Sequence, residues 1–327
     1  MLMTRRLFAA IGAALVGTAV MGGPALAEFP DRPVRMLVPY GPGSGPDIVG
    51  RIVAESMREI TGQTFIVENR VGAGGIVCLE DTYKSAPDGY TLMVGELSSA
   101  ALVPATRPTK ISFNIREGLI PVTQLTEAQT ALWVTTTNFP VTNLKELVEH
   151  QKGKRFLFSS GGVGTQNHID VEVFLKAAGI EPGHVPANNS QESAALIASG
   201  NVHGNMWAIA TGLPLAADGR IRPIAVSGDS RSPLLPDIAT FAEQGYPDTG
   251  RNLWQGIFVT KDTPPEIVDR LFALFQQAMK MESTRDRLVK AGLVPAESAS
   301  REEFDKFHAA EVERFKSAVA EFNLVFN

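Results

Sequence analysis

The sequence predicts an α/β fold, built as two α/β domains around a hinged ligand cleft. Three observations carry this. An apolar run, Val34–Pro39, leads through the loop Tyr40-Gly41-Pro42-Gly43-Ser44-Gly45 into an amphipathic segment. Downstream, apolar strands alternate with helical segments, which indicates βαβ units and a largely parallel sheet. A second block of the same kind starts at Thr130–Thr136, and a β pattern returns at Leu253–Val259, so the C-terminal part can rejoin the first block. A chain that crosses between two lobes in this way suggests closure about a ligand. The expected division is residues 28–126 plus 253–327 for one domain and 127–252 for the other.

In the opening unit, Ile48, Val49, Ile52, Val53, Met57 and Ile60 recur at helical spacing. Pro46 suits the helix start, where its missing N–H has no intrahelical partner, and Gly62 suits the stop. Unpaired N–H groups and the positive end of the helix dipole converge on the loop, so an anion can bind there without a base. Thr64–Glu68 reads as a strand, Asn69–Gly75 as a second Gly-rich turn and Ile76–Ser85 as a short helix. Tyr90–Val94 is a further strand, ending in Gly95-Glu96-Leu97-Ser98-Ser99. Ligands sit at the carboxyl ends of such strands. In the second block, Asn143 and Glu146 have capping-box spacing. Arg155–Phe158 is a strand that enters Ser159–Thr165, before a helix carrying Ile169, Val173 and Phe174. His184–Pro186 leads to Ala187–Ser190, and Asn189 with Glu192 starts the next helix. Val202–Ile209 holds Met206 and Trp207, and Pro223–Val226 is a strand. Thr263-Pro264-Pro265-Glu266 starts a helix, and Ser300 with Glu303 starts the last one, whose outer face is charged.

The N-terminus reads as a secretory leader. Arg5-Arg6 precede the apolar run Leu7–Met21, and Ala25-Leu26-Ala27 fits a cleavage site. Thr4-Arg5-Arg6-Leu7-Phe8 also partly matches a twin-arginine signal. Cleavage after Ala27 leaves 300 of the 327 residues, expected in the periplasm. The leader holds two Arg and no acid, so the formal charge moves from −5 to −7 on cleavage. An acidic chain without basic runs argues against nucleic acid or anionic membrane as partner. Cys78 is the only cysteine, which rules out an intramolecular disulfide, and it reads as a small buried residue.

Several chemistries fail on spacing. None of the Gly-rich loops completes G-x-G-x-x-G, and no GxxxxGK[ST] occurs. G-x-S-x-G is absent around Ser44, Ser159 and Ser160. The five histidines form no metal-ligand pair, and His308 with Glu311 reads as a solvated pair one turn apart on a charged helix. No cofactor, metal or catalytic residue is assigned. What remains is four loops at helix starts, Tyr40–Asp47, Gly95–Ser99, Ser159–Thr165 and Asn188–Ser190. Their N–H groups, hydroxyls (Ser98 among them) and amides suit a carboxylate. Asp47 is most simply a first-turn acid. His168 is either a structural histidine or a cleft donor, and Trp207 is either core or a stacking surface. Glu96 either points to solvent or pairs with a ligand ammonium or a buried cation.

One pattern runs through the mature chain. Val38-Pro39-Tyr40-Gly41-Pro42-Gly43-Ser44-Gly45-Pro46-Asp47 is followed by Glu68-Asn69-Arg70-x-Gly72-Ala73-Gly74-Gly75 and Ala86-Pro87-Asp88-Gly89-Tyr90-Thr91-Leu92. Ser159-x-Gly161-x-x-Gly164-Thr165-x-x-His168 and Arg231-Ser232-Pro233-x-Leu235-Pro236-Asp237 come later. This closely resembles the substrate-binding receptors of tripartite tricarboxylate transporters, the Bug family. The resemblance implies a type II periplasmic-binding-protein fold, capture of a small carboxylate and delivery to integral-membrane permease subunits by a monomer. By matching position it implicates Tyr40, Gly43, Ser44, Gly45, Ser160, Gly161, Gly164, Thr165 and His168 in holding the carboxylate. The chain departs from the family at Gly41–Ser44, at Ala187-Asn188-Asn189, at His203 with Asn205-Met206-Trp207, and at Glu96, where a small residue is common. Glu96, Asn188 and Trp207 are therefore the expected selectors among dicarboxylates, aromatic acids and amino acids. Two other functions stay open: an exported small-acid enzyme using Glu96 and His168, and a receptor that presents its ligand to a sensor.

Overall fold

The computed structural model describes residues 29–162, 165–187, 190–247 and 249–322; the expected leader, Gly164 and Asn188 lie outside the described residues. The opening unit forms as its residues dictate. β1 (Val34–Val38) pairs in parallel with β2 (Phe65–Asn69) and β3 (Thr91–Glu96). The helix Gly45–Thr61 starts with Pro46 in its first turn and stops at Gly62, whose left-handed φ of 71° is the conformation that favours glycine there. Alternate residues serve opposite faces of the sheet. Met36, Val38, Leu92, Val94, Ile257 and Val259 pack under the helices Gly45–Thr61 and Pro265–Lys280. Leu37, Met93 and Phe258 face the other way, toward Ile76–Tyr83 and Arg301–Phe322. Burial of each such aliphatic side chain is worth about 1.5–3 kcal/mol. Gly95 is needed in β3 because a Cβ there would lie 2.7 Å from the Phe258 ring.

β4 (Leu119–Ala128) carries the chain out through Gln129. β5 (Thr130–Thr135), β6 (Arg155–Ser160), β7 (Glu181–Pro186), β8 (Gly204–Ala208) and β9 (Ile221–Val226) build the second sheet, in the order β7-β6-β8-β5-β9. β10 (Leu253–Thr260) and β11 (Val294–Pro295) return to the first, which runs β11-β4-β10-β3-β1-β2. The expectation of largely parallel sheets holds only in part. β10 is antiparallel to β3 and β4, and β5 is antiparallel to β8 and β9. β4 takes the chain across and β10 brings it back, so the two crossing strands run in opposite directions.

The crossings are tied together side by side. The Gln129 amide donates to the Ser227 and Ser230 carbonyls at 2.9 and 2.7 Å. The Thr130 N–H donates to Ser227 Oγ at 2.7 Å, Ser227 Oγ donates to Asn252 Oδ1 at 2.6 Å, and Asn252 Nδ2 donates to Glu127 Oε2 at 3.2 Å. The last helix, Arg301–Phe322, corrects a sequence expectation. His308 and Glu311 are buried, not solvated. His308 Nε2 lies 2.7 Å from the Ala100 carbonyl, and burial pushes its pKa down to about 4. Glu311 accepts from Trp254 Nε1 at 3.3 Å. Cys78 is fully buried, as expected, and burial raises its thiol to about 12.

Candidate functional site

A cavity of about 270 Å³ lies where the two lobes face each other, lined by Glu96, Ser98, Thr130, Thr165, Gln166, Asn167, Asp170, Met206, Trp207, Ala208 and Leu253. On the first lobe, β3 ends in Glu96, the N-cap of the π-helical turn Leu97–Leu102. Its Oε1 accepts from the Ser99 N–H at 2.8 Å, and Ser99 Oγ accepts from the Glu96 N–H at 3.2 Å, a reciprocal capping box. The Tyr40 hydroxyl donates to the same Oε1 at 2.8 Å. Glu96 is only 7% exposed and belongs to the cavity wall, so it does not point to solvent. Burial raises its pKa, against the donors from Ser99, Tyr40 and Ser98. Tyr40 is raised too, first by burial and then by the Glu96 charge.

The loop Tyr40–Asp47 does not line this cavity; it is closed on itself. The Gly43 N–H donates to Asp47 Oδ2 at 2.9 Å, Arg51 holds the same carboxylate, and Asn69 Nδ2 donates to Asp47 Oδ1 at 2.9 Å and to the Tyr40 carbonyl at 2.8 Å. Burial alone would raise Asp47, but the hydrogen bonds from Arg51, Gly43 and Asn69 bring its pKa below the ordinary value. The loop's anion is thus its own side chain. Ser44 Oγ is buried without a hydrogen-bond partner. Gly45 abuts the Gln255 amide, with a Cβ position 3.4 Å from Nε2. The neighbouring Glu68-Asn69-Arg70 is a structural lock: Glu68 takes the Arg35 guanidinium at 2.8 and 2.9 Å and Arg70 at 3.1 Å.

On the second lobe, Thr165 is the N-cap of the helix Gln166–Ala177 but gives it no side-chain cap. Its hydroxyl lies 2.7 Å from the Gly162 carbonyl and 2.8 Å from Asn167 Oδ1. Thr165 therefore leaves the first-turn amides of that helix without a capping oxygen of its own, and Thr165, Gln166 and Asn167 line the cavity. One turn on, Asp170 is 3% exposed; it accepts from Gln166 Nε2 at 2.9 Å and lies 3.9 Å from Arg314 of the last helix. Burial pushes its pKa up to about 6, with Arg314 pulling the other way. Arg314 also pairs with Glu311 at 3.2 Å, so one guanidinium ties an acid on each lobe. Trp207 packs with Val226 and Ile209 and also forms part of the cavity wall.

His168 and Ser160 lie elsewhere. The His168 ring sits 4.1 Å from the His184 ring and 5.9 Å from Phe158, with Nε2 3.4 Å from Glu172. Ser160 Oγ lies 2.6 Å from His184 Nε2 and 3.1 Å from the Gly162 N–H. Burial, then the His168 charge, lowers His184 to about 4. Of the expected site residues, Glu96, Ser98, Thr165 and Trp207 are brought together in the cavity wall. Tyr40 stands behind Glu96. Gly43, Ser44, Gly45 and Asp47 stay within their loop, and Ser160, Gly161 and His168 are not in the wall. Thr130, Gln166, Asn167, Asp170, Met206, Ala208 and Leu253 were not anticipated. Asn167 and Asp170 follow Thr165 within the first helical turns, a signal that the hydroxyl- and glycine-based reading passed over. Among the described residues no group of three or more His, Cys, Asp or Glu could hold a metal, and no helix is long and apolar enough to cross a membrane.

This geometry agrees with what known proteins show. The chain is 29% identical to protein BugT of Bordetella pertussis over 319 residues, 97% of each chain. A TctC solute-binding protein from Polaromonas superposes with a TM-score of 0.79 at 25% identity, covering 90% of this chain and 99% of that one. A Rhodopseudomonas palustris protein solved with adipate gives 0.76 at 26%, covering 91% and 99%. The family model described as tripartite tricarboxylate transporter family receptor matches residues 49–324. With two α/β sheets joined by paired crossings and a cavity walled by both, the chain belongs to the tripartite tricarboxylate transporter family receptors.

Proposed function

We propose that the chain is an exported, monomeric receptor that closes its two lobes on one small carboxylate and presents it to membrane permease subunits. The lobes are residues 28–126 plus 253–327, and 127–252. The observation that carries this is the interlobe cavity, whose walls come from both lobes and include an uncapped helix N-terminus. A carboxylate suits such amides and dipole without any base. The adipate held by the Rhodopseudomonas relative supports the ligand class. The enzyme alternative needs Glu96 and His168 to face one substrate. Glu96 lines the cavity while the His168 ring lies 4.1 Å from the His184 ring and outside the wall, so that pair is not assembled.

The test is a thermal-shift screen of the mature protein against dicarboxylates, aromatic acids and amino acids. A ligand at ~100 times its dissociation constant adds about 2.7 kcal/mol, or about 5 °C for a chain of this size. A screen without any stabilising acid, or turnover of a bound acid, would refute the receptor reading.

A further inference from the structure

We infer that Asn205 is a positioning residue for the interlobe cavity, fixing the Asn167 amide so that it offers an N–H to the bound acid. This rests on the receptor reading above and names the residue that prepares one of its donors. Asn205 lies in β8, fully buried, two residues before Trp207 and so on the same face of the strand. That face is apolar. Trp133, the partner of Asn205 across β5, packs there in one cluster with Trp207, Ile197 and Val202. A buried amide in such surroundings costs free energy unless its polar ends are bonded.

Both ends are bonded, and the partners set a direction. The Met206 N–H donates to Asn205 Oδ1 at 2.6 Å, and Asn205 Nδ2 donates to Ser193 Oγ at 2.9 Å. Ser193 Oγ lies 2.6 Å from Ser159 Oγ, and both serines are fully buried. A backbone N–H only donates, so the end of Asn205 that meets it is the oxygen. The same oxygen accepts from Asn167 Nδ2 at 3.3 Å. Two amide oxygens would repel at that distance. The Asn167 amide is therefore held with its nitrogen toward Asn205 and its oxygen toward the Thr165 hydroxyl, 2.8 Å away. Asn167 belongs to the cavity wall, and its second N–H has no hydrogen-bond partner among the described residues. A carboxylate accepts from such an N–H, whereas a turned amide would present it with oxygen. An apolar side chain would suit the face on which Asn205 sits; the amide adds a fixed polarity at Asn167. Orientation thus passes from the backbone of β8 to the wall through a residue that is not itself part of the wall.

The experiment is a double-mutant cycle read by calorimetry on the mature protein. The probe is adipate, replaced by the most stabilising acid of the thermal-shift screen if adipate does not bind. Asn167→Ala should weaken binding ~10-fold, as expected for loss of a hydrogen bond to a charged group. Asn205→Ala should weaken it by roughly three- to tenfold, yet by less than about twofold when residue 167 is already alanine. Asn205→Asp keeps the accepting oxygen and should stay within about threefold of wild type. Equal weakening by Asn205→Ala in both backgrounds overturns the inference, because Asn205 would then act through the fold and not through Asn167. Unchanged affinity in Asn205→Ala or in Asn167→Ala, or a loss in Asn205→Asp as large as in Asn205→Ala, overturns it too and leaves the carboxylate receptor standing. A protein that binds no acid of the screen loses the receptor reading, and the inference with it. If Asn205→Ala does not fold, Ser193→Ala, which frees the other end of the Asn205 amide, takes its place in the cycle. Its loss of affinity must likewise vanish without the Asn167 side chain.

Discussion

Asp170→Asn tests how the second lobe's buried acid is held. The carboxyl is 3% exposed, its folded pKa stands at about 6, and burial is the largest cause. An unfolded aspartate titrates near ~3.9. The folded state therefore binds the proton more tightly, and stability falls as pH rises between those two values. Below about pH 4 the acid is protonated in both states and adds no penalty. Above about pH 6 it is ionised in both, and a difference of roughly two pKa units amounts to about 3 kcal/mol of destabilisation. Asparagine has the same shape, can still accept from Gln166 and cannot ionise. Urea unfolding of both proteins from pH 4 to pH 8 cancels the other titrating groups, which the two share. The variant should gain relative to wild type with rising pH, by up to about 3 kcal/mol, and level off above about pH 7. A stability difference that stays constant, or that moves the other way, would show that Arg314 offsets the burial completely and that Asp170 is an ordinary salt-bridged acid.

Two further substitutions separate framework from site. Asp47→Ala strands the Gly43 N–H, Arg51 and Asn69, so it should cost about 1–3 kcal/mol in urea unfolding while changing ligand affinity less than threefold by calorimetry. Gly95→Ala drives a methyl to 2.7 Å from the Phe258 ring in a filled core, and a loss of about 1–3 kcal/mol is expected; an unchanged unfolding midpoint would mean that the ring moves aside freely.

Much of the fold was legible because local chemistry agrees with it. Asn143 caps its helix by accepting from the Glu146 N–H at 2.9 Å, as the spacing indicates, and Gly62 stops the first helix. β4 was missed, and its antiparallel pairing with β10 depends on residues far apart in the sequence. The same distance hid part of the site. Thr130 and Leu253 stand at the crossings, and Asp170 is interior only because Arg314 and the last helix pack over it. From the sequence, a carboxylate one turn into a helix reads as solvated. His308 and Glu311 misled for the same reason, since the charged face of their helix was taken as outer when it packs against Trp254 and Ala100.

The fate of three helix N-termini explains why the Gly-rich opening loop is less central than its sequence suggests. Each offers amides and a positive dipole end, and each could in principle hold a ligand anion. At Gly45–Thr61 the first-turn acid Asp47 folds back on the preceding loop, accepting from the Gly43 N–H and from Asn69. At Leu97–Leu102 the N-cap position is taken by Glu96, whose oxygen meets the Ser99 amide. At Gln166–Ala177 the N-cap Thr165 gives no side-chain cap, as Ser44 gives none at Gly45–Thr61, and no acid stands at the third helical position. At two of the three ends a carboxyl group of the chain itself stands nearby, and one of these, Glu96, belongs to the cavity wall. A cleft built from three open helix ends would favour a multiply charged anion. Here an N-cap without a side-chain cap, Thr165, and an N-cap that is itself a carboxyl, Glu96, share one cavity wall.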